Sequence, residues 1–70
     1  MADIKTKFGE RIQELRNRKE IKQQTLADRM DVDRTYISKI ENGKKNPTLE
    51  IIHELSEQLD TPLREVFDFR

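Results

Sequence analysis

The sequence predicts an all-α fold, a compact set of five helices, and three observations predict it. Between Gln23 and Gly43, two short apolar-periodic segments flank a three-residue turn. Upstream, Ile4, Phe8, Ile12 and Leu15 recur at spacings of four, four and three. Downstream, Leu49, Ile52, Leu55 and Leu59 recur at threes and a four. These spacings place apolar side chains on one face of a helix.

The first helix is expected to run to about Arg18, with Asp3 and Thr6 both suited to cap its start. Gly9 within it costs about 1 kcal/mol against Ala, which suggests close packing by another helix. Glu14 and Arg18 form an i,i+4 pair. Lys19 to Lys22 reads as a turn anchored by Ile21. Leu26 and Met30 then share a face of a second helix, and Ile37 and Ile40 a face of a third. Val32 can plug the angle between these two, and Ala27 is small enough to let their backbones cross closely. Asp33 is a good N-cap for the third helix, and Gly43 a suitable residue to end it. Thr48 is expected to cap the fourth helix, whose outer side carries Glu50, Glu54 and Glu57. Thr61 and Pro62 read as cap and first residue of a fifth helix, with Leu63, Val66 and Phe67 facing inward. Ile51 lies off the fourth helix's core stripe, and Phe69 has too little chain after it to be covered.

The central pair of helices is a helix-turn-helix. The stretch resembles that of the phage Cro/repressor family of XRE-like DNA-binding proteins. The resemblance extends over Phe8-Gly9-Glu10-Arg11-Ile12-Gln13-Glu14-Leu15-Arg16 upstream and Glu41-Asn42-Gly43-Lys44-Lys45-Asn46-Pro47-Thr48-Leu49-Glu50 downstream. Residues from about Lys5 to Phe67 lie on the family's five-helix, lambda-repressor-like pattern. Asp33-Arg34-Thr35-Tyr36-Ile37-Ser38 is most similar to the controller proteins of restriction–modification systems. The resemblance implies that Arg16 and Glu41 form a partly buried ion pair tying the first helix to the end of the third. Two positions depart from the family. Lys22 stands where Ser or Thr usually caps the second helix, which weakens that start by about 1 kcal/mol. Asp31 stands where Gly is frequent and a left-handed backbone is wanted, a conformation Asp tolerates better than most residues.

Composition narrows the function. Seventy residues, 40% of them charged, make one domain with a small core, for which oligomerisation is a common remedy. There is no cysteine, hence no disulfide framework or thiolate metal site. No apolar run approaches a membrane span or a signal-peptide core, so a cytoplasmic protein without membrane partners is expected. Net charge is zero but polarised: residues 1–45 hold twelve Lys/Arg against eight Asp/Glu, residues 46–70 two against six. The helix-turn-helix lies in the basic part. No catalytic constellation is present. His53 and Glu57 stand i,i+4, but a stable metal site needs three or four ligands, so no metal or cofactor is expected. No small-molecule ligand is expected either.

Contact with double-stranded DNA remains. Arg34, Thr35, Ser38 and Lys39 on the outer face of the third helix are the expected base readers, with Tyr36 on its flank. Lys22, Asn42, Lys44 and Lys45 are expected at phosphates, and the resemblance adds Gln23, the family's phosphate-holding Gln at a helix start. A single module reads few base pairs, so a homodimer on a pseudo-palindromic operator is expected, with Phe69 and Ile51 at its interface. The second reading is an antitoxin or adaptor module whose main role is to hold a protein partner.

Overall fold

The computed structural model describes residues 3–69. Five helices follow one another: α1 (Ile4–Arg18), α2 (Gln23–Met30), α3 (Arg34–Glu41), α4 (Leu49–Gln58) and the single turn α5 (Leu63–Val66). They fill a volume of 32 × 22 × 22 Å. Among the described residues there is no strand, as the periodicities predict.

The starts of the helices vary in quality. Asp3 caps α1 by accepting the Thr6 N–H at 2.9 Å, and this bond holds its carboxyl below the ordinary 3.8. Thr48 caps α4 through Oγ1, which accepts the Ile51 N–H at 3.2 Å. Lys22 occupies the cap position of α2 and, having no acceptor, makes no capping bond. Asp33 occupies the cap position of α3 as expected, but its exposed carboxylate stays in solvent and makes no capping bond. At α5 the expectation shifts by one residue: Pro62, not Thr61, is the cap. Thr61 still belongs to the end of α4. Its N–H donates to the Ser56 carbonyl at 2.9 Å, its hydroxyl donates to the Leu59 carbonyl at 2.9 Å, and the residue is buried.

The ends follow one pattern. After α1, the Glu20 and Ile21 N–H groups donate to the carbonyls of Asn17 and Arg16. Asp31 and Val32 do the same after α2, Gly43 and Lys44 after α3, and Asp60 and Thr61 after α4. Each is the paired closure of a helix around one left-handed residue. Only Gly43 (φ 72°) is a glycine; Glu20 (φ 56°), Asp31 (φ 58°) and Asp60 (φ 49°) take the same conformation with a side chain attached.

The core contains Phe8, Ile12 and Leu15 from α1, Leu26, Ala27 and Met30 from α2, and Ile37 and Ile40 from α3. Leu55, Leu59 and Val66 complete it, with Val32 packed against its edge in the turn between α2 and α3. α3 packs on both α1 and α2, and Gly9 explains how closely it approaches α1. A Cβ at position 9 would run into the Ile40 carbonyl oxygen and come within 2.7 Å of that of Glu41. Arg11 fastens the C-terminal segment: its Nε donates to the Glu65 carbonyl at 2.9 Å and its Nη1 to Glu14 at 2.9 Å.

Four apolar residues expected inside lie outside. Leu49 is 81% exposed, Ile4 62%, and Leu63 and Phe67 43% each. The cause in α4 is the direction of its inner face. That face is centred on Leu55, so Ile51, one turn earlier, packs against the core, whereas Leu49 is about 120° round the helix. In α5 a single turn directs only Val66 inward. Phe69 is half-buried and packs against the core edge, its ring centroid 6.2 Å from that of Phe67.

Candidate nucleic-acid interface

α3 presents its outer side to solvent from a rigid base. Ile37 and Ile40 anchor the inner side, and Glu41, 4% exposed, ends the helix in the interior. Arg16 meets this carboxylate with a fork: Nε donates to Oε2 at 2.6 Å and Nη2 to Oε1 at 3.1 Å. Arg16 Nη1 donates to the Ile21 carbonyl at 2.8 Å, so the turn after α1 joins the same cluster. Gln23 completes it, donating from Nε2 to Glu41 Oε1 at 2.9 Å. Among the described residues no buried side-chain polar atom lacks a partner. A buried pair with its remaining donors and acceptors satisfied fixes the register of the elements it joins, here α1, α2 and α3.

From this base, Arg34, Thr35 and Lys39 are exposed and Ser38 is half-exposed along α3. Arg34 Nη1 donates to Gln23 Oε1 at 3.3 Å, linking the first residues of the two helices. Tyr36 is half-buried on the flank, with Lys45 Nζ 5.7 Å from the centre of its ring. That cation–π contact directs the loop after α3 back along the helix. Lys22, Lys44 and Lys45 are exposed around the ends of α2 and α3. Asn42 is exposed too, but its amide folds back along α3: its Nδ2 donates to the Ser38 carbonyl at 2.9 Å and to Ser38 Oγ at 3.3 Å. Five cations are thus presented on one helix-turn-helix, together with hydroxyl donors. Such a set can bond phosphate oxygens and base edges, and nothing in it activates a nucleophile.

His53 lies elsewhere, on α4, with Nδ1 3.8 Å from Glu57 Oε1 and both side chains exposed. It lines a shallow apolar groove with Leu49, Ile52, Leu63 and Phe67. Sequence reasoning missed the roles of Arg11, the Ile21 carbonyl and the Gln23 amide. The first two depend on where the backbone of the C-terminal segment and the α1–α2 turn passes, which side-chain spacing does not encode. The third depends on the burial of the Glu41 carboxylate within reach of the amide that opens α2, which the sequence does not encode either.

Residues 12–66 match the helix-turn-helix family. The chain is 43% identical over 68 residues to the control protein C.MunI of a Mycoplasma species, covering 96% of this chain and 92% of that one. It is 34% identical over 68 residues to the control protein C.BamHI of Bacillus amyloliquefaciens, covering 96% and 84%. Its fold superposes on the crystal structure of the restriction–modification controller protein C.AhdI from Aeromonas hydrophila with a TM-score of 0.83. That match has 41% identity and covers 87% of this chain and 92% of the other. The chain therefore belongs to the XRE-like helix-turn-helix family, and over nearly its whole length it is similar to the controller proteins of restriction–modification systems.

Proposed function

We propose that this protein is a sequence-specific transcription regulator that binds a pseudo-palindromic operator as a homodimer and governs restriction–modification genes. The observation that carries the reading is the outer side of α3, exposed from Arg34 to Lys39 and held on a buried, fully bonded Arg16–Glu41 pair. Family membership and the controller relatives support it. α3 lies in the major groove, its N-terminal Arg34 and Thr35 at base edges, with Ser38, Lys39 and Tyr36 following. Lys22, Lys44 and Lys45 bond phosphates on either side, and Asn42 braces Ser38 more than it reaches outward. The regulator works in the cytoplasm and takes no small-molecule effector.

The homodimer is supported by the exposed apolar groove. Leu49, Leu63 and Phe67 are large side chains in water, next to half-buried Ile52. A second copy covers them through α4 and α5. Phe69, beside Phe67 but outside the groove and against α1, is a further candidate for this interface, and Ile51 is partly buried against the core.

Two variants test the DNA reading. Lys44→Ala is expected to weaken binding to all sequences alike and to lower the log–log salt slope by about 1 per site. Arg34→Ala is expected to cost about 1–3 kcal/mol on the operator alone and to relax the preference at one base pair of each half-site. Equal loss on operator and random DNA for Arg34→Ala contradicts the base-reading role.

A further inference from the structure

α5 is a single turn, too short to hold its own shape, so its place depends on what ties it to the rest of the chain. Two ties are apolar. Val66 is fully buried in the core, and the Phe67 ring centroid lies 5.4 Å from that of Phe8 on α1. One tie is polar: Arg11 Nε donates to the Glu65 carbonyl at 2.9 Å. Among the described residues it is the one hydrogen bond that joins residues 63–69 to the chain before Pro62. The arginine is itself held. Its side chain is 10% exposed and its Nη1 donates to Glu14 Oε1 at 2.9 Å. Phe69 shares a shallow depression on α1 with Arg11, Lys7, Glu10 and Glu14. Glu65, the residue tied down, stands between Leu63 and Phe67, and these two line the apolar groove with Leu49 and Ile52 of α4.

We propose that Arg11 is a positioning residue for the association surface: by holding the Glu65 carbonyl it keeps α5 docked on α1, with Leu63 and Phe67 set to meet a second copy. Arg11 lies outside the groove lining, so it acts through α5 and not by contact across the interface. Without the bond, Val66 and the Phe8–Phe67 contact are the ties that remain, and the turn has more orientations open to it. Only a fraction of these present Leu63 and Phe67 together. Association must then order the turn first, and the apparent affinity falls by the competent fraction. A symmetric dimer incurs that loss once in each copy. The inference rests on the reading of the groove as the homodimer interface.

Two substitutions of equal length isolate the bond. Arg11→Gln places an amide NH2 where the arginine has Nε, so it can still donate to the Glu65 carbonyl. Arg11→Met places a methyl group there and cannot. Both remove the charge beside Glu14. Sedimentation equilibrium of the unsubstituted chain and each variant gives the dimer Kd. Amide hydrogen exchange, read at a concentration where monomer predominates, gives protection residue by residue. Arg11→Met is expected to weaken the dimer about tenfold, to lose protection at the Phe67 and Asp68 amides, and to keep it through α1 to α4. Arg11→Gln is expected to dimerise as the unsubstituted chain does. If the two variants weaken the dimer equally, the charge and not the carbonyl bond is the cause, and the proposal is overturned. It is also overturned if both dimerise as the unsubstituted chain does. Loss of protection throughout α1 to α4 in Arg11→Met makes Arg11 a residue of the fold at large, and overturns it as well. An unsubstituted chain that stays monomeric at every concentration refutes the homodimer itself, an outcome distinct from the others.

Discussion

Arg16 is a buried charge that ties separate parts of this fold together. Its guanidinium joins α1, the following turn and the end of α3 through bonds to Glu41 and Ile21, with its side chain 10% exposed and that of Glu41 2%. Truncation leaves the buried Glu41 carboxylate without its counter-charge and the part-buried Ile21 carbonyl without its donor, and the cost is set by what is left unpaired more than by the attraction lost. Arg16→Ala is expected to lower unfolding free energy by about 3 kcal/mol or more, measured by urea denaturation. Exposed Arg18, whose partner Glu14 is itself half-exposed, is the control: Arg18→Ala is expected to cost about 0.5 kcal/mol or less. Equal effects of the two substitutions would contradict the scaffold role. The pairing of Arg16 with Glu41 was legible only through the resemblance, since in the sequence they are twenty-five residues apart and Arg16 alone reads as a solvated helix charge. Lys22 was legible from chemistry alone, because lysine has no atom with which to cap a helix.

At the level of elements, helix ends carry more information than helix starts. Four helices close around a left-handed residue, and in three of them it is acidic. A Cβ in this conformation costs about 1–2 kcal/mol, less for Asp, and a negative charge at a helix C-terminus is unfavourable. Glu20→Gly is therefore expected to raise stability by about 0.5–1 kcal/mol, and Asp31→Gly by less. Glu20→Ala separates the causes. It removes the charge but keeps the Cβ, so it is expected to fall short of Glu20→Gly in thermal denaturation at matched protein concentration. A Glu20→Ala variant as stable as Glu20→Gly would make charge, not backbone conformation, the cause. Of these residues only Asp31 was legible beforehand, because the motif fixes a turn there. Glu20 and Asp60 lie in polar segments whose composition gives no sign of a left-handed backbone. The misplaced Leu49 and Ile51 have the same kind of origin. Four apolar residues at threes and a four fit α4, but the helix turns its core side toward Leu55, and spacing does not decide between neighbouring faces.

For the whole molecule, the helix-turn-helix and five-helix order were readable because several local signals agree: paired apolar faces, a small residue at a crossing, Gly43 at a helix end and Thr48 at a helix start. The exposed apolar groove was less readable, because burial of Leu63 and Phe67 depends on how far a one-turn helix can reach. Those residues and Leu49 now define a surface that a second copy is expected to cover. Phe67→Ser combined with Leu49→Ser is expected to shift the protein to monomer in sedimentation equilibrium while far-ultraviolet circular dichroism stays helical, and operator affinity falls with it. A fully dimeric double variant would place association on another face.

The most direct test of the central claim is selection of bound sequences from a random DNA library with the purified chain. A homodimer reading DNA through two copies of α3 predicts an enriched inverted repeat, its half-sites about 10 base pairs, or roughly 34 Å, between centres, or a multiple of that spacing. No enrichment, or a single unrepeated element as the only product, would contradict it.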